Sequence, residues 1–300
     1  MTSVPEANIA GGLAWLVAGA GGMLGTALQR VIAERGEVLC APLERDFDIT
    51  DPAAVHSVIA AFVEQLAPGT RGMLVNAAAF TNVEAAEDNV DVARRVNTDG
   101  PAILARAARA AGLGFVHVST DFVFDGRKGD AYTEADATNP LSVYGVTKLA
   151  GEVAVARECA DSLTVRTAWV FGPGGTNFPT KILEAAKTRP ALSVVTDEVG
   201  SPTFTVDLAR GILALVAVGA RGTYHLAGSG SCSRFELAEE VLRLAGVDTP
   251  IEPVTSGAFT MRASRPLNSV LDCSKAAAFG VHMPNWRDSL CRFMDETAGF

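Results

Sequence analysis

A 300-residue chain with 48% hydrophobic and 20% charged side chains has the makeup of a folded globular protein, large enough for one broad domain or two smaller ones. Its formal charge of −9 supplies no cationic surface for nucleic acid, although a pocket with its own local field can still take a phosphorylated small ligand. Five scattered cysteines without a CxxC pair, and four histidines without ligand spacing, speak for reduced thiols and no bound metal.

The first dozen residues, "MTSVPEANIAGG", read as a disordered extension (1–12). Residues 7–29 carry no charge, but six glycines interrupt them and Glu6 precedes them where a leader would be cationic, so neither a signal peptide nor a membrane span is expected. "AWLVAGA" predicts a buried strand, followed by a helix from about 22 to 34. "EVLCAP" predicts a second strand. "DPAAVHSVIAAFVEQL", opened by an acid and a proline with apolar residues at helical spacing, predicts a helix. "GMLVNAAA" predicts a third strand, "VARRVNTDGPAILARAARAAG" a long helix, "GFVHVST" a fourth strand, and "LTVRTAWVFG" a fifth after the helix that opens around Tyr144.

Strict alternation of helices with strands apolar on both faces predicts an α/β fold, a doubly wound parallel sheet of the Rossmann kind. Beyond Gly172 the pattern loosens. "GPGGTNFP" and "DEVGSPTF" read as loops, "SRFELAEEVLRLAG" as an isolated amphipathic helix, and "PIEPVTSGAFTMRASRPLNS" shows no period. The apolar run 211–220 is too short for a bilayer, which needs ~20 residues. The expected organisation is a dinucleotide-binding domain over 13–170, rejoined by a segment near 203–226. A smaller irregular α/β lobe, mainly 171–300, would sit over the sheet's carboxyl edge and bind the substrate.

Three motifs carry chemistry. "GAGGMLG" places Gly19, Gly22 and Gly25 at a spacing of three between a strand and a helix, the context of a dinucleotide loop: a tight turn, close backbone approach to a pyrophosphate, and a helix N-terminus aimed at its charge. The second strand ends in Pro42 rather than in the acid that bonds a ribose hydroxyl. Arg45 nearby can pair with a 2′-phosphate, so NADPH is the favoured coenzyme and NADH the alternative. Asp48 and Ile49 would flank the adenine.

The fourth strand delivers Ser119, Thr120 and Asp121 to the coenzyme edge. In "VYGVTKLAGE", Tyr144 and Lys148 lie one helical turn apart on one face. A free phenol with a pKa of about 10 gives up its proton reluctantly, and a neighbouring ammonium is expected to lower that value. Tyr144 would protonate the oxygen left when hydride attacks a carbonyl, Thr120 would donate a second hydrogen bond to it, and Lys148 would also hold the nicotinamide ribose.

"GAGGMLG", "VNAAAFTNVEAAE", "STDFVFDG", "YGVTKLAGE", "RTAWVFG", "GSPTF" and "RPLNS" follow the order and spacing of extended short-chain dehydrogenase/reductases. More narrowly, the chain resembles the dTDP-4-dehydrorhamnose reductase family over almost its whole length. The resemblance implies that Gly22, Met23 and Leu24 form the pyrophosphate turn and that Ala79, Phe80 and Thr81 line the coenzyme. It implies Tyr144 as catalytic acid with Lys148 as partner, Thr120 and Asp121 as substrate contacts, and Trp169 as an apolar wall for the sugar. Arg262 and Arg265 are candidates for the substrate's diphosphate or, equally, a solvated basic pair. Two departures, Phe122 in place of a frequent tyrosine and Cys232 in place of a frequent aromatic residue, bear on which sugar fits.

The implied activity is NADPH-dependent reduction of the C4 keto group of a dTDP-4-keto-6-deoxyhexose, giving dTDP-L-rhamnose, in the cytoplasm. A dTDP-4-keto-2,6-dideoxyhexose ketoreductase is the neighbouring alternative, and a non-catalytic nucleotide-binding regulatory subunit is the alternative of another class. A dehydratase would need a second acid where Phe122 stands, and an epimerase a tightly held NAD. Ala27, at a position where family members place a metal-linked acidic contact, points to a monomer or weak homodimer without a metal.

Overall fold

The computed structural model describes residues 12–297, so the expected N-terminal extension lies, but for Gly12, outside the described residues. The chain enters through strand β1 (Leu13–Ala18), helix α1 (Met23–Glu34), β2 (Val38–Cys40), α2 (Pro52–Glu64) and β3 (Arg71–Asn76). Next come α3 (Val83–Asp88), α4 (Val90–Arg94), a π-helical turn (Arg95–Asp99), α5 (Gly100–Ala110), β4 (Gly114–Thr120), α6 (Val143–Glu158) and β5 (Leu163–Thr167). The remainder runs β6 (Val170–Phe171), α7 (Phe178–Ala186), β7 (Leu192–Val195), β8 (Val199–Gly200), β9 (Thr203–Phe204), α8 (Thr205–Ala217) and β10 (Gly222–His225). It closes with β11 (Cys232–Ser233), α9 (Arg234–Ala245), β12 (Ile251–Val254), α10 (Ser274–Ala277) and α11 (Trp286–Thr297).

Six strands form one parallel sheet in the order β10-β5-β4-β3-β1-β2. Every residue of β1 is buried, as expected when helices cover both faces. One face packs on α1 and α8 through Leu28, Ile32, Leu208 and Ile212, the other on α2 and α5 through Ile59, Phe62 and Leu104. The chain builds outward to β2 and then resumes on the other side of β1 at β3, so the winding reverses between β1 and β3. Loops diverge there at the carboxyl edge and leave a crevice. Segment α8–β10 returns from the second half of the chain to the sheet, where β10 pairs with β5.

Outside the sheet, three short pairings brace the second half: β7 with β12 in parallel, β8 with β11 antiparallel, and β6 with β9 in parallel. Apart from β6, which lies within the run read as the fifth strand, these fall in stretches without a strand signal, because two to four residues are too few to display a strand period.

Three predicted elements differ in detail. The long helix expected over 92–112 is interrupted by the π turn. Pro101 has no N–H to give the Asn97 carbonyl, and the Gly100 N–H reaches back five residues to Arg95. The fifth strand stops at Thr167, since Trp169 has φ 45°, the only positive value of a non-glycine among the described residues. β2 spans only three residues at the sheet's edge before Pro42, which has no N–H for a ladder.

Candidate active site

A cavity of about 610 Å³ follows the carboxyl ends of β1, β3, β4 and β5 and is closed from the other side by Thr176, Arg234 and Arg265. Gly19 begins it in the left-handed region, φ 81°, where a side chain would also run into the backbone at Ala78. A Cβ at Gly25 would overlap the Gly19 carbonyl oxygen, so only glycine lets α1 seat against the turn. Gly22 caps α1 without a side-chain acceptor, and no acid stands in the first turn. The helix therefore presents uncompensated N–H groups and the positive end of its dipole beside Met23 and Leu24, which line the cavity. This cradle fits a dinucleotide pyrophosphate.

Most residues singled out from the sequence meet on the walls of this cavity: Gly19, Gly22, Met23, Leu24, Asp48, Ile49, Ala79, Thr81, Thr120, Asp121, Tyr144, Lys148, Trp169 and Arg265. Four do not. Gly25 lies behind the turn. Phe80 is tied by its backbone to Asn97, donating to Oδ1 at 2.8 Å and accepting from Nδ2 at 3.1 Å. The Arg45 side chain is 79% exposed and pairs with Asp46 at 3.4 Å, while the charged residues of its loop that reach the cavity are the acids Glu44 and Asp48. Arg262 is held outside by α3, its guanidinium on Asp88 and its backbone N–H on Glu84. Arg265 pairs with Glu84 at 2.7 Å from inside.

Tyr144 and Lys148 enter from the start of α6, a helix capped by Ser142, whose hydroxyl accepts from the Gly145 N–H at 3.2 Å. A Cβ at Gly145 would overlap the Phe122 carbonyl oxygen, so glycine here lets α6 close on the turn after β4. The Tyr144 ring meets Phe122 edge-on with centroids 5.5 Å apart. Lys148 is buried and donates from Nζ to the Val118 carbonyl at 2.7 Å, which anchors its charge at the end of β4.

Burial sets the charges. It pushes the Tyr144 phenol up to about 12, against a lowering pull from the Thr120 hydroxyl and with a further push from Asp121. The lowering expected from Lys148 is thus not found for the protein alone: withdrawal from water dominates, and the neighbouring charge of Asp121 adds to it. Burial also pulls the Lys148 ammonium down to about 8, with Glu152 one turn further along opposing the fall. The Asp121 carboxyl is raised to about 6 by burial, against hydrogen bonds from Ser269 and Thr120 and the charge of Arg234. Three buried oxygens here have no protein partner, Ser119 Oγ, Asp121 Oδ2 and Thr167 Oγ1, and all three residues line the cavity.

Trp169 is not the open wall expected. A Cβ on Gly200 would fall onto the indole, so the Gly200 backbone covers one face of the ring. The Arg234 guanidinium lies 3.4 Å from the ring centroid and, sterically excluded from that face, covers the other. Thr167, Asn97 and Arg234 escaped the sequence reading. Thr167 was legible as a strand-end hydroxyl. Arg234 stands in a run that reads only as the start of an amphipathic helix, and no local pattern brings it to Trp169.

A winding reversal beside an open helix N-terminus, faced by a Tyr–Lys turn, is the framework of an extended short-chain dehydrogenase/reductase. Residues 14–298 match the family described as RmlD substrate binding domain, and the chain belongs to that family, the dTDP-4-dehydrorhamnose reductases. It is 41% identical to a dTDP-4-dehydrorhamnose reductase of Streptomyces griseus, over 92% of this chain and 91% of that protein. It is 40% identical to a dTDP-4-keto-6-deoxy-D-glucose reductase of Streptomyces niveus, over 86% and 88%. The structure of a dTDP-4-dehydrorhamnose reductase from Bacillus anthracis in complex with NADP superposes with a TM-score of 0.88 at 32% identity, covering 94% of this chain and 98% of that one.

Proposed function

We infer that this chain reduces the C4 carbonyl of dTDP-4-dehydro-L-rhamnose to dTDP-L-rhamnose, using NADPH. The observation that carries the reading is the convergence of Tyr144, Lys148 and Thr120 on the walls of one cavity beside an open helix N-terminus, in a chain of the reductase family. Bound NADPH supplies the hydride. Gly19, Gly22, Met23 and Leu24 hold its pyrophosphate against the α1 dipole. Asp48 and Ile49 flank its adenine, and Ala79 and Thr81 line its course, with the Phe80 backbone between them. Arg45, free to swing on the surface, takes the 2′-phosphate.

Thr120 donates to the sugar's carbonyl oxygen, and Tyr144 gives that oxygen its proton as negative charge develops there. Lys148, held on the Val118 carbonyl and one helical turn from Tyr144, lends its charge to the phenolate left behind. Arg265 faces the substrate's diphosphate, with Arg262 behind it. Residues 13–170 with the segment 203–226 act as the coenzyme-binding unit, and 171–300 mainly as the sugar-nucleotide lobe. The enzyme works in the cytoplasm as a monomer or weak homodimer; none of the described helices is long and apolar enough to cross a membrane.

The test is NADPH oxidation followed at the nicotinamide absorbance band with dTDP-4-dehydro-L-rhamnose. Tyr144→Phe lowers kcat by roughly 10²–10⁴-fold while NADPH still binds. Full activity in that variant refutes the assignment of the proton donor. The Streptomyces niveus relative, similar to this chain at nearly the same identity, favours a second reading in which another dTDP-4-keto-6-deoxyhexose is reduced. Product analysis separates the two.

A further inference from the structure

Arg234 is placed with unusual care for a residue at the start of a surface helix. It follows β11, which pairs with β8, and its backbone N–H donates to the Glu198 carbonyl at 3.1 Å. Ser233 caps α9 in a reciprocal box with Glu236, so the direction of the chain at Arg234 is fixed from both sides. The same two strands carry Gly200, whose bare backbone supports the far face of Trp169. Glu198, indole and guanidinium thus form one assembly. The Nε–carboxylate distance of 3.6 Å is an ion pair beyond hydrogen-bond reach.

The guanidinium lines the cavity, and among the described residues no hydrogen bond is donated by its five N–H groups. A cation that is only 19% exposed yet unbonded is an unspent donor. Burial lowers its pKa to about 10, with Glu198 and then Asp121 opposing the fall, so it lies within the field of the Asp121 carboxylate. Asp121 is itself 2% exposed, and its Oδ2 has no partner. Thr120 donates to the Asp121 Oδ1 at 3.0 Å and Ser269 also supports the carboxyl, so its Oδ2 is what it has left to offer, and both Asp121 and the unbonded guanidinium line the same cavity. One group satisfies both: a hydroxyl, which accepts from the guanidinium and donates to the carboxylate. A phosphate oxygen would answer Arg234 but meet repulsion at Asp121.

We propose that Arg234 is a specificity-determining residue which, together with Asp121, reads a ring hydroxyl of the substrate sugar, so that the enzyme favours a hydroxylated 4-keto-6-deoxyhexose over its 2,6-dideoxy counterpart. The proposal rests on the ketosugar reductase reading. Because Arg234 covers the indole, the sugar meets the guanidinium where an apolar ring face was expected. A site built to hydrogen-bond a hydroxyl rejects the analogue lacking it strongly, since the buried groups are then left unpaired.

The experiment compares kcat/KM for the dTDP-4-keto-6-deoxyhexose and the dTDP-4-keto-2,6-dideoxyhexose in the wild type, Arg234→Met and Arg234→Lys, together with the Kd for dTDP. The wild type prefers the hydroxylated sugar by ~100-fold or more. Arg234→Met brings the two substrates within several-fold of each other, through a higher KM for the hydroxylated sugar alone, and leaves dTDP affinity unchanged. Arg234→Lys recovers part of the preference. Should the methionine variant fail to fold, Arg234→Gln carries the same expectation. An undiminished preference in the variants overturns the proposal and leaves the reductase reading standing. Equal losses on both sugars with weaker dTDP binding overturn it in favour of a diphosphate contact. A wild type that oxidises NADPH with neither sugar removes both.

Discussion

Three side chains in the cavity have their charge set chiefly by withdrawal from water, and their values fall on either side of neutrality. Tyr144, raised to about 12, stays protonated at neutral pH, as the proposed role of proton donor requires. Asp121, raised to about 6, ionises just below neutral pH, and Lys148, lowered to about 8, is still charged there. The expected kcat/KM profile is therefore a bell. It rises through about 6 as Asp121 becomes an acceptor and falls above about 8 as Lys148 loses its charge. Glu152 opposes the lowering of Lys148, so Glu152→Gln moves the alkaline limb to lower pH. An unmoved limb in that variant would detach Lys148 from it. The variant is also destabilised, since Glu152 pairs with Arg166 at 2.7 Å in the interior and breaking such a pair costs about 3–5 kcal/mol. Tyr144 and Lys148 were legible because one helical turn is a local spacing. Arg234 was not, because Trp169, Gly200 and Asp121 come from three distant parts of the chain and no local spacing links them to it.

Among the elements, the widened turn between α4 and α5 has a defined task. The π geometry accompanies a buried Asn97 whose amide grips the Phe80 backbone in both directions and reaches Thr147 on α6 at 3.2 Å. Asn97 thereby fixes the loop from Ala79 to Thr81 in the crevice wall, and a Cβ on Gly151 of α6 would overlap the Asn97 carbonyl oxygen. Replacing Asn97 by alanine strands several buried polar groups, at about 1–3 kcal/mol each. Asn97→Ala should raise the KM for NADPH by roughly 10-fold, the worth of about one such group, with a smaller change in kcat. Coenzyme titration and thermal melting check both effects. An unchanged coenzyme KM would mean that the loop is held by something else. In the sequence this segment reads as an uninterrupted helix, because its apolar spacing continues through Pro101. The strands of the main sheet were legible as apolar runs for the opposite reason: burial on both faces leaves a composition that needs no period. The two-residue pairings of the lobe had neither signal.

At the scale of the whole molecule, the two-faced burial that makes the sheet stable also encloses two histidines. His117 lies on β4 against Asn76, 3.2 Å away, and burial with the charge of Lys148 holds its pKa well below the usual value. His225 on β10 pairs through Nδ1 with the Tyr132 carbonyl, and burial lowers it to about 4. As the pH falls below about 6.5 the unfolded chain protonates both rings near their ordinary pKa, whereas burial opposes protonation of both in the native state. Asp121 acts in the opposite sense: its native carboxyl takes up a proton near pH 6, and the unfolded one only near 3.9. Two rings favour the unfolded state as the pH falls and one carboxyl favours the native state, so of these three groups the histidines prevail and their net effect is a loss of stability in acid. Asp121→Asn removes the compensating carboxyl and steepens the acid dependence of stability, while His225→Gln flattens it. Urea unfolding at a series of pH values reads these slopes directly. A steeper acid dependence in Asp121→Asn confirms that the substrate pocket, by keeping a carboxyl dry, partly offsets the acid sensitivity of the sheet that supports it; an unchanged slope would place the raised Asp121 pKa in doubt.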